Sequence, residues 1–275
     1  MKSKMVESIK ELREICQKRT QLYDKKGEKN TSKPVDEYFY DRFLRLVSIY
    51  LTWIFLHFPI SGNTVTIISM VVGLIAGVMF GFAHPLFWVI GFLLTQMFHF
   101  LDAADGEVAR YRKEASPIGK YFDLLAHGVV IAAFYAGMTI GVYRSTGEFS
   151  AIILGLVCLS SFLLISLSGA LLNFLKYNYF WMEKKELAIK DDDAGSVVYT
   201  WKYALRRLLG FDGIVFVALF VALLDWCFLP LSFNFIGKDF FVNFRYIFLL
   251  ISAIAGPVIF CMRMRTASLS RKMFE

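Results

Sequence analysis

Six apolar runs divide this chain of 275 residues: Thr64–Phe82, Pro85–Leu101, Tyr121–Tyr143, Ile152–Leu175, Gly213–Leu231 and Phe240–Met262. Each is close to the roughly 20 residues that carry a helix across a bilayer. Hydrocarbon offers no partner to a backbone N–H or C=O, so a single segment crossing it must satisfy those groups within itself, as a helix does. The fold class expected is therefore an all-α integral membrane protein with six transmembrane helices. Composition agrees: 57% of the residues are hydrophobic and only 19% charged, too greasy for an ordinary soluble domain.

Six crossings put both termini on one side, and the basic residues say which. Segments 1–63, 102–120, 176–212 and 263–275 hold 27 of the 30 Lys and Arg, whereas the opposite connections hold only Arg144, Lys238 and Arg245. Short cytoplasmic loops carry the positive excess in membrane proteins. Both termini and the loops at 102–120 and 176–212 are thus expected in the cytoplasm. The net charge of +7 follows from this bias and from attraction to anionic headgroups, so no nucleic-acid partner is implied.

The expected organisation is a basic cytoplasmic arm over 1–33, an interfacial helix over 34–60, a six-helix membrane domain over 61–265 with a cytoplasmic loop at 176–212, and a tail over 266–275. The arm carries ten basic residues and one weak apolar stripe, Ile9, Leu12 and Cys16, and reads as a solvated tether or surface-docking helix. Pro34–Pro59 mixes apolar positions with Asp36, Arg42, Arg45 and Ser48, and its fully apolar part is short for a span. It reads as an amphipathic helix at the headgroups, anchored by Trp53. Cys16, Cys158, Cys227 and Cys261 are scattered without metal-ligand spacing and are expected as free thiols. The first 36 residues lack an apolar core of the kind a cleaved signal needs, so insertion is expected to rely on the spans. The run Asp191–Asp193 reads as solvated loop, and Arg206 and Arg207 either meet a lipid phosphate or follow the charge bias.

The chemistry sits between the second and third runs. Asp102-Ala-Ala-Asp105-Gly106-Glu-Val-Ala109-Arg110 is followed after eight residues by Gly119-Lys-Tyr-Phe-Asp123-Leu-Leu-Ala-His127. Spacings of three and four put side chains on one face of a helix, so two facing helices would bring three Asp and one His to a single polar cleft. Ionisable groups at a membrane boundary are costly unless they bind something. Facing carboxylates repel unless a cation compensates, and hard cations such as Mg²⁺ or Mn²⁺ take oxygen ligands while keeping positions for substrate phosphates. Gly106 and Gly119 remove side chains where a ligand or a neighbouring backbone approaches. Arg110 brings a phosphate-matching fork beside the carboxylates.

This spacing resembles the signature of the CDP-alcohol phosphotransferase family, D-x2-D-G-x2-A-R-x8-G-x3-D-x3-D. The chain matches at Asp102, Asp105, Gly106, Ala109, Arg110, Gly119 and Asp123 and departs only at the last position, where His127 stands for the fourth Asp. Pro59-Ile-Ser-Gly62-Asn63-Thr-Val-Thr66 is similar to the P-x-x-P-N-x-x-T turn that opens the first span in that family, with Gly62 in place of the second Pro. The resemblance implies that Asp102, Asp105, Asp123 and His127 hold one or two Mg²⁺ or Mn²⁺ ions. It implies further that Asp102, Asp105, Gly106, Ala109, Arg110, Gly119 and Asn63 form the CDP site, although Asn63 also reads as a helix cap. An acceptor alcohol would attack the β-phosphorus of CDP-diacylglycerol or another CDP-alcohol, releasing CMP. His127 and Asp123 are the expected catalytic residues, His127 replacing the family's usual base with an imidazole whose unperturbed pKa, roughly 6.5, suits proton abstraction near neutrality. Membrane lipids are further expected partners, and the resemblance suggests a homodimer.

Two other classes compete. A catalytically weakened homologue would bind CDP-lipid without turnover. A cation-coupled transporter would need ionisable groups continuing across the spans, and Asp225 alone stands near the outer end. His99, one turn before Asp102, reads as a supporting residue, and Glu107 has no assignment from sequence.

Overall fold

The computed structural model describes residues 6–17, 39–182, 220, 223, 232–235, 238–241 and 244–269. Helix α1 (Ile9–Leu12) continues as a π-helical turn over Arg13–Gln17. It is followed by α2 (Phe39–Leu56), α3 (Gly62–Phe80), α4 (Pro85–Arg112), α5 (Pro117–Thr146) and α6 (Ser150–Met182). A short antiparallel ribbon of β1 (Ser232–Phe235) and β2 (Lys238–Phe241) pairs Ser232 with Phe241 and Phe235 with Lys238, and α7 (Phe244–Leu269) closes the described chain.

Five helices among the described residues are long and apolar enough to cross a membrane: Gly62–Phe80, Pro85–Arg112, Pro117–Thr146, Ser150–Leu172 and Arg245–Met262. The expected span Gly213–Leu231 lies outside the described residues apart from Phe220 and Leu223, as do most of the loop 176–212 and the tail beyond Leu269. The sixth run differs at its start: Phe240 and Phe241 belong to β2, and the helix begins at Phe244. Apolar character alone could not separate a strand residue from a helix residue there. Helix α2 contains a shorter apolar stretch, Phe43–Leu56, as its sequence suggested.

The chain divides into two units. The first comprises residues 1–69, 99–124 and 170–200. Of the two readings of the arm, solvated tether or docking helix, the contacts of residues 6–17 fit the second. Leu12 and Cys16 are buried with Ile49 of α2, and Val6, Ile9, Leu56 and Tyr111 pack around them, so the weak apolar stripe serves a protein surface. Ser8 caps α1 reciprocally with Glu11, whose carboxyl is held below its ordinary range by hydrogen bonds from the Ser8 hydroxyl and N–H. Helix α3 starts on Ser61, whose Oγ accepts from the Thr64 N–H at 3.3 Å; the cap is Ser61, and Asn63 lies inside the first turn. Helix α4 ends with Lys113 at φ 58°, where the Lys113 N–H meets the Arg110 carbonyl and the Glu114 N–H meets the Ala109 carbonyl at 2.9 Å. That is the closing pattern glycine usually completes. Ser116 and Pro117 then open α5, Ser116 Oγ accepting from the Gly119 N–H at 3.1 Å.

The second unit comprises residues 70–98, 125–169 and 201–275. Its α3 and α5 meet backbone to backbone. A Cβ on Gly137 would lie 2.0 Å from the Gly77 carbonyl oxygen, and one on Gly141 would lie 2.0 Å from that of Phe80. Small residues at a helix interface allow this approach in lipid, where association depends on close packing. Phe80, Trp88, Phe92 and Phe134 fill the layer beside it edge to face. Arg144 and Arg245 are fixed as well. Arg144 donates to the Gly81 carbonyl at 2.9 Å, while Arg245 donates to Ala83 and lies over the Trp88 ring at 5.2 Å. Trp88 Nε1 in turn donates to Phe82 at 2.9 Å, so three donors bind the carbonyls that follow α3.

Gly137→Ala is expected to lower the melting temperature in detergent, because overpacking of this kind costs about 1–3 kcal/mol. Lys113→Gly is expected to raise it, by relieving a left-handed non-glycine residue worth about 1 kcal/mol. A thermal shift assay on the purified pair checks both signs.

Candidate functional site

Both halves of the signature are helical. Asp102 to Arg110 occupies the last turns of α4, and Gly119 to His127 the first turns of α5. Asp102, Asp123 and His127 each offer a ligand atom, and these atoms lie within 4.8 Å of one another. Asp123 and His127 share a face of α5 one turn apart, and Asp102 comes from α4. The His127 ring meets the edge of Phe98 at 5.6 Å between centroids. Two carboxylates and an imidazole form a donor set that fits a divalent cation: carboxylate oxygens suit Mg²⁺ and Mn²⁺, and three protein ligands leave room for phosphate oxygens.

Asp123 also pairs with Lys120 three residues earlier, whose side chain is 66% exposed. An exposed pair of this kind is worth about 0–1 kcal/mol, little enough for a divalent cation to displace.

Asp105 is not in the group of three. It is buried, and Thr66 Oγ1 of α3 donates to its Oδ2 at 2.5 Å. Thr66 thus faces the signature helix. Asp105 falls one turn after Asp102 but is turned toward α3.

The small residues of the signature have protein against them. A Cβ on Gly106 would lie 3.2 Å from Nη1 of Arg110, so the guanidinium lies over that glycine. Ala109 packs against Gly62, where an added Cβ would be 2.8 Å from Ala109 Cβ and 3.0 Å from the Asp105 carbonyl; a proline at Gly62 would meet the same atoms. Gly119 leaves room for Asn63, whose Oδ1 would be 3.0 Å from a Cβ there. Arg110 Nε donates to the Cys16 carbonyl at 2.8 Å. Asn63, Gly119, Gly106, Ala109 and Arg110 therefore line the α3, α4 and α5 ends of the first unit.

Sequence reasoning left Glu107 unassigned, and it is 1% exposed. Its carboxylate accepts from Gln17 Nε2 at 2.8 Å, Ser48 Oγ at 2.8 Å and Thr52 Oγ1 at 2.6 Å. A signal was present: Ser48 and Thr52 fall one turn apart in the otherwise apolar stretch of α2 from Leu46 to Leu56, which calls for a buried acceptor opposite. Burial, with the Glu107 carboxylate adding to it and Arg110 opposing, pushes the Cys16 thiol up to about 11, so it stays protonated at neutral pH. His99 is 4% exposed, one turn before Asp102 on α4.

A sequence profile of the CDP-alcohol phosphatidyltransferase family matches residues 60–233, more than half of the chain. The chain belongs to this family, whose members are transferases that move a phospho-alcohol group from a CDP-alcohol to an acceptor alcohol and use a divalent cation. A search of curated proteins found no match.

Thr66→Val removes one hydrogen bond from a buried carboxylate, a loss of about 1.5–3 kcal/mol. The melting temperature should fall in the Val form and hold in Thr66→Ser; equal values for the two variants would mean that the hydroxyl does not support Asp105.

Proposed function

We propose that this protein catalyses metal-dependent transfer of a phospho-alcohol group, of the phosphatidyl type, from a CDP-alcohol to an acceptor alcohol, releasing CMP in the synthesis of a phospholipid or related phosphodiester. The observation that carries the reading is the convergence of Asp102, Asp123 and His127 within 4.8 Å, on the two helices whose ends the signature occupies. Asp102 and Asp123 would hold Mg²⁺ or Mn²⁺, and a cation bound there neutralises charge on the pyrophosphate and on the departing CMP. Asp105, held by Thr66, supports the donor side, with Gly106, Ala109, Gly119 and Asn63 bounding the nucleotide and Arg110 offering its fork to phosphate.

The reaction needs the acceptor hydroxyl to lose its proton as its oxygen bonds to phosphorus and the bond to the CMP oxygen breaks. His127 receives that proton on a ring nitrogen. A neutral imidazole bound to a cation through one nitrogen carries its proton on the other, so ligand and base are alternative uses of this ring, and we assign it the base. Phe98 against the ring supports a fixed orientation. The distribution of basic residues supports a cytoplasmic active site and cytoplasmic termini.

Purified protein supplied with CDP-diacylglycerol or a CDP-linked polar head group, Mn²⁺ or Mg²⁺ and a panel of acceptor alcohols should release CMP only when a suitable acceptor is present, and chelation should abolish the release. His127→Ala should reduce kcat by about 10²–10⁴-fold and remove the acid limb of the pH–rate profile, while His127→Asp restores part of the rate. Unchanged rate and pH dependence in the Ala form would take His127 out of the chemistry. Binding of CDP-lipid without CMP release from any acceptor would identify a non-catalytic homologue.

A further inference from the structure

Glu107 is the most buried charged side chain among the described residues, and all three of its donors are neutral. A buried carboxylate is costly unless hydrogen-bonded, and an apolar residue of similar volume would hold α2 against α4 without that cost. What a carboxylate adds is directional grip on Gln17 at the end of the arm. The Gln17 amide also donates to the Arg45 carbonyl of α2 at 2.8 Å, so it is tied on two sides.

The neighbouring residue shows what this grip positions. The Cys16 carbonyl accepts from Nε of Arg110, one turn beyond Glu107 on α4. Holding an arginine by Nε fixes the plane of its guanidinium and leaves the terminal nitrogens available. Among the described residues nothing hydrogen-bonds Nη1 or Nη2, and Nη1 lies over Gly106. Adjacent residues of the arm, Cys16 and Gln17, thus grip Arg110 and Glu107 of the signature helix. Leu12 and Cys16, buried against Ile49, seat the arm.

We propose that the N-terminal arm is part of the donor site: Glu107 and Gln17 latch it to the signature helix, and the Cys16 carbonyl then fixes the Arg110 guanidinium over Gly106, presenting its terminal nitrogens to the CDP pyrophosphate. Glu107 and Gln17 are positioning residues, and Arg110 is the group that meets phosphate. The proposal rests on the CDP-alcohol reading of the site.

The test uses the full-length protein, with KM and kcat for the CDP-alcohol that gives most CMP and, independently of turnover, maleimide labelling of Cys16 read by peptide mass. Gln17→Ala should speed Cys16 labelling and raise KM about tenfold, with kcat within about twofold of wild type. In an Arg110→Ala background the same substitution should leave KM where Arg110→Ala put it, because the arm acts through that side chain. Glu107→Gln, which keeps an acceptor oxygen, should protect Cys16 better than Glu107→Ala. Faster labelling without a change in KM would overturn the donor-site role. So would an equal KM penalty in the Arg110→Ala background, since a general loss of packing acts without Arg110. Labelling of Cys16 in Gln17→Ala no faster than in wild type would overturn the latch. Wild-type protein that neither turns over nor binds any CDP-alcohol at equilibrium would instead overturn the function itself, and the arm's donor-site role with it.

Discussion

Two carboxylates and an imidazole held within 4.8 Å at the ends of two apolar helices set the terms for the rest of this protein. Left alone at a membrane boundary, such a group is unfavourable through repulsion and desolvation. The surrounding structure fixes the helices that carry it, and the proposed cation would offset the charge. Each unit has fixing contacts of its own. In the first, Thr66 holds Asp105, Ala109 meets Gly62, and Asn63 stands in the space left by Gly119. In the second, glycine contacts bring the α3 and α5 backbones together, and three donors close the loop after α3.

Much of this could be read from the residues. The apolar runs predicted helices where α3 to α7 lie, because the period and length of a span leave little choice of backbone. The spacings in the signature predicted that Asp102, Asp105, Asp123 and His127 would converge; the structure groups Asp102, Asp123 and His127, while Asp105 is turned to Thr66. Boundaries were less accessible. Helix α4 continues past the apolar run to Arg112, carrying the first half of the signature inside a helix, and the Phe240–Phe241 strand looked like the start of a span.

Pairings between distant segments were hidden, because no local period encodes them. Thr66 meeting Asp105 and Gln17 meeting Glu107 join residues far apart in sequence. The arm's partner was hidden for the same reason: Ile9, Leu12 and Cys16 make too thin a stripe to name a partner until Ile49 and Tyr111 are seen against it. Arg144 and Arg245 likewise counted only as exceptions to the charge bias, whereas each is held by carbonyls next to α3.

The proposed function rests on one event, charge compensation by a divalent cation at Asp102 and Asp123. Titration of the detergent-solubilised protein with Mn²⁺, following free ion by electron paramagnetic resonance, measures that event without turnover. The account predicts saturable binding by wild-type protein that weakens at least about tenfold in Asp102→Asn and in Asp123→Asn, as loss of a charged ligand requires. Binding of equal affinity in all three proteins, or none in wild type with a CDP-alcohol present, would contradict it.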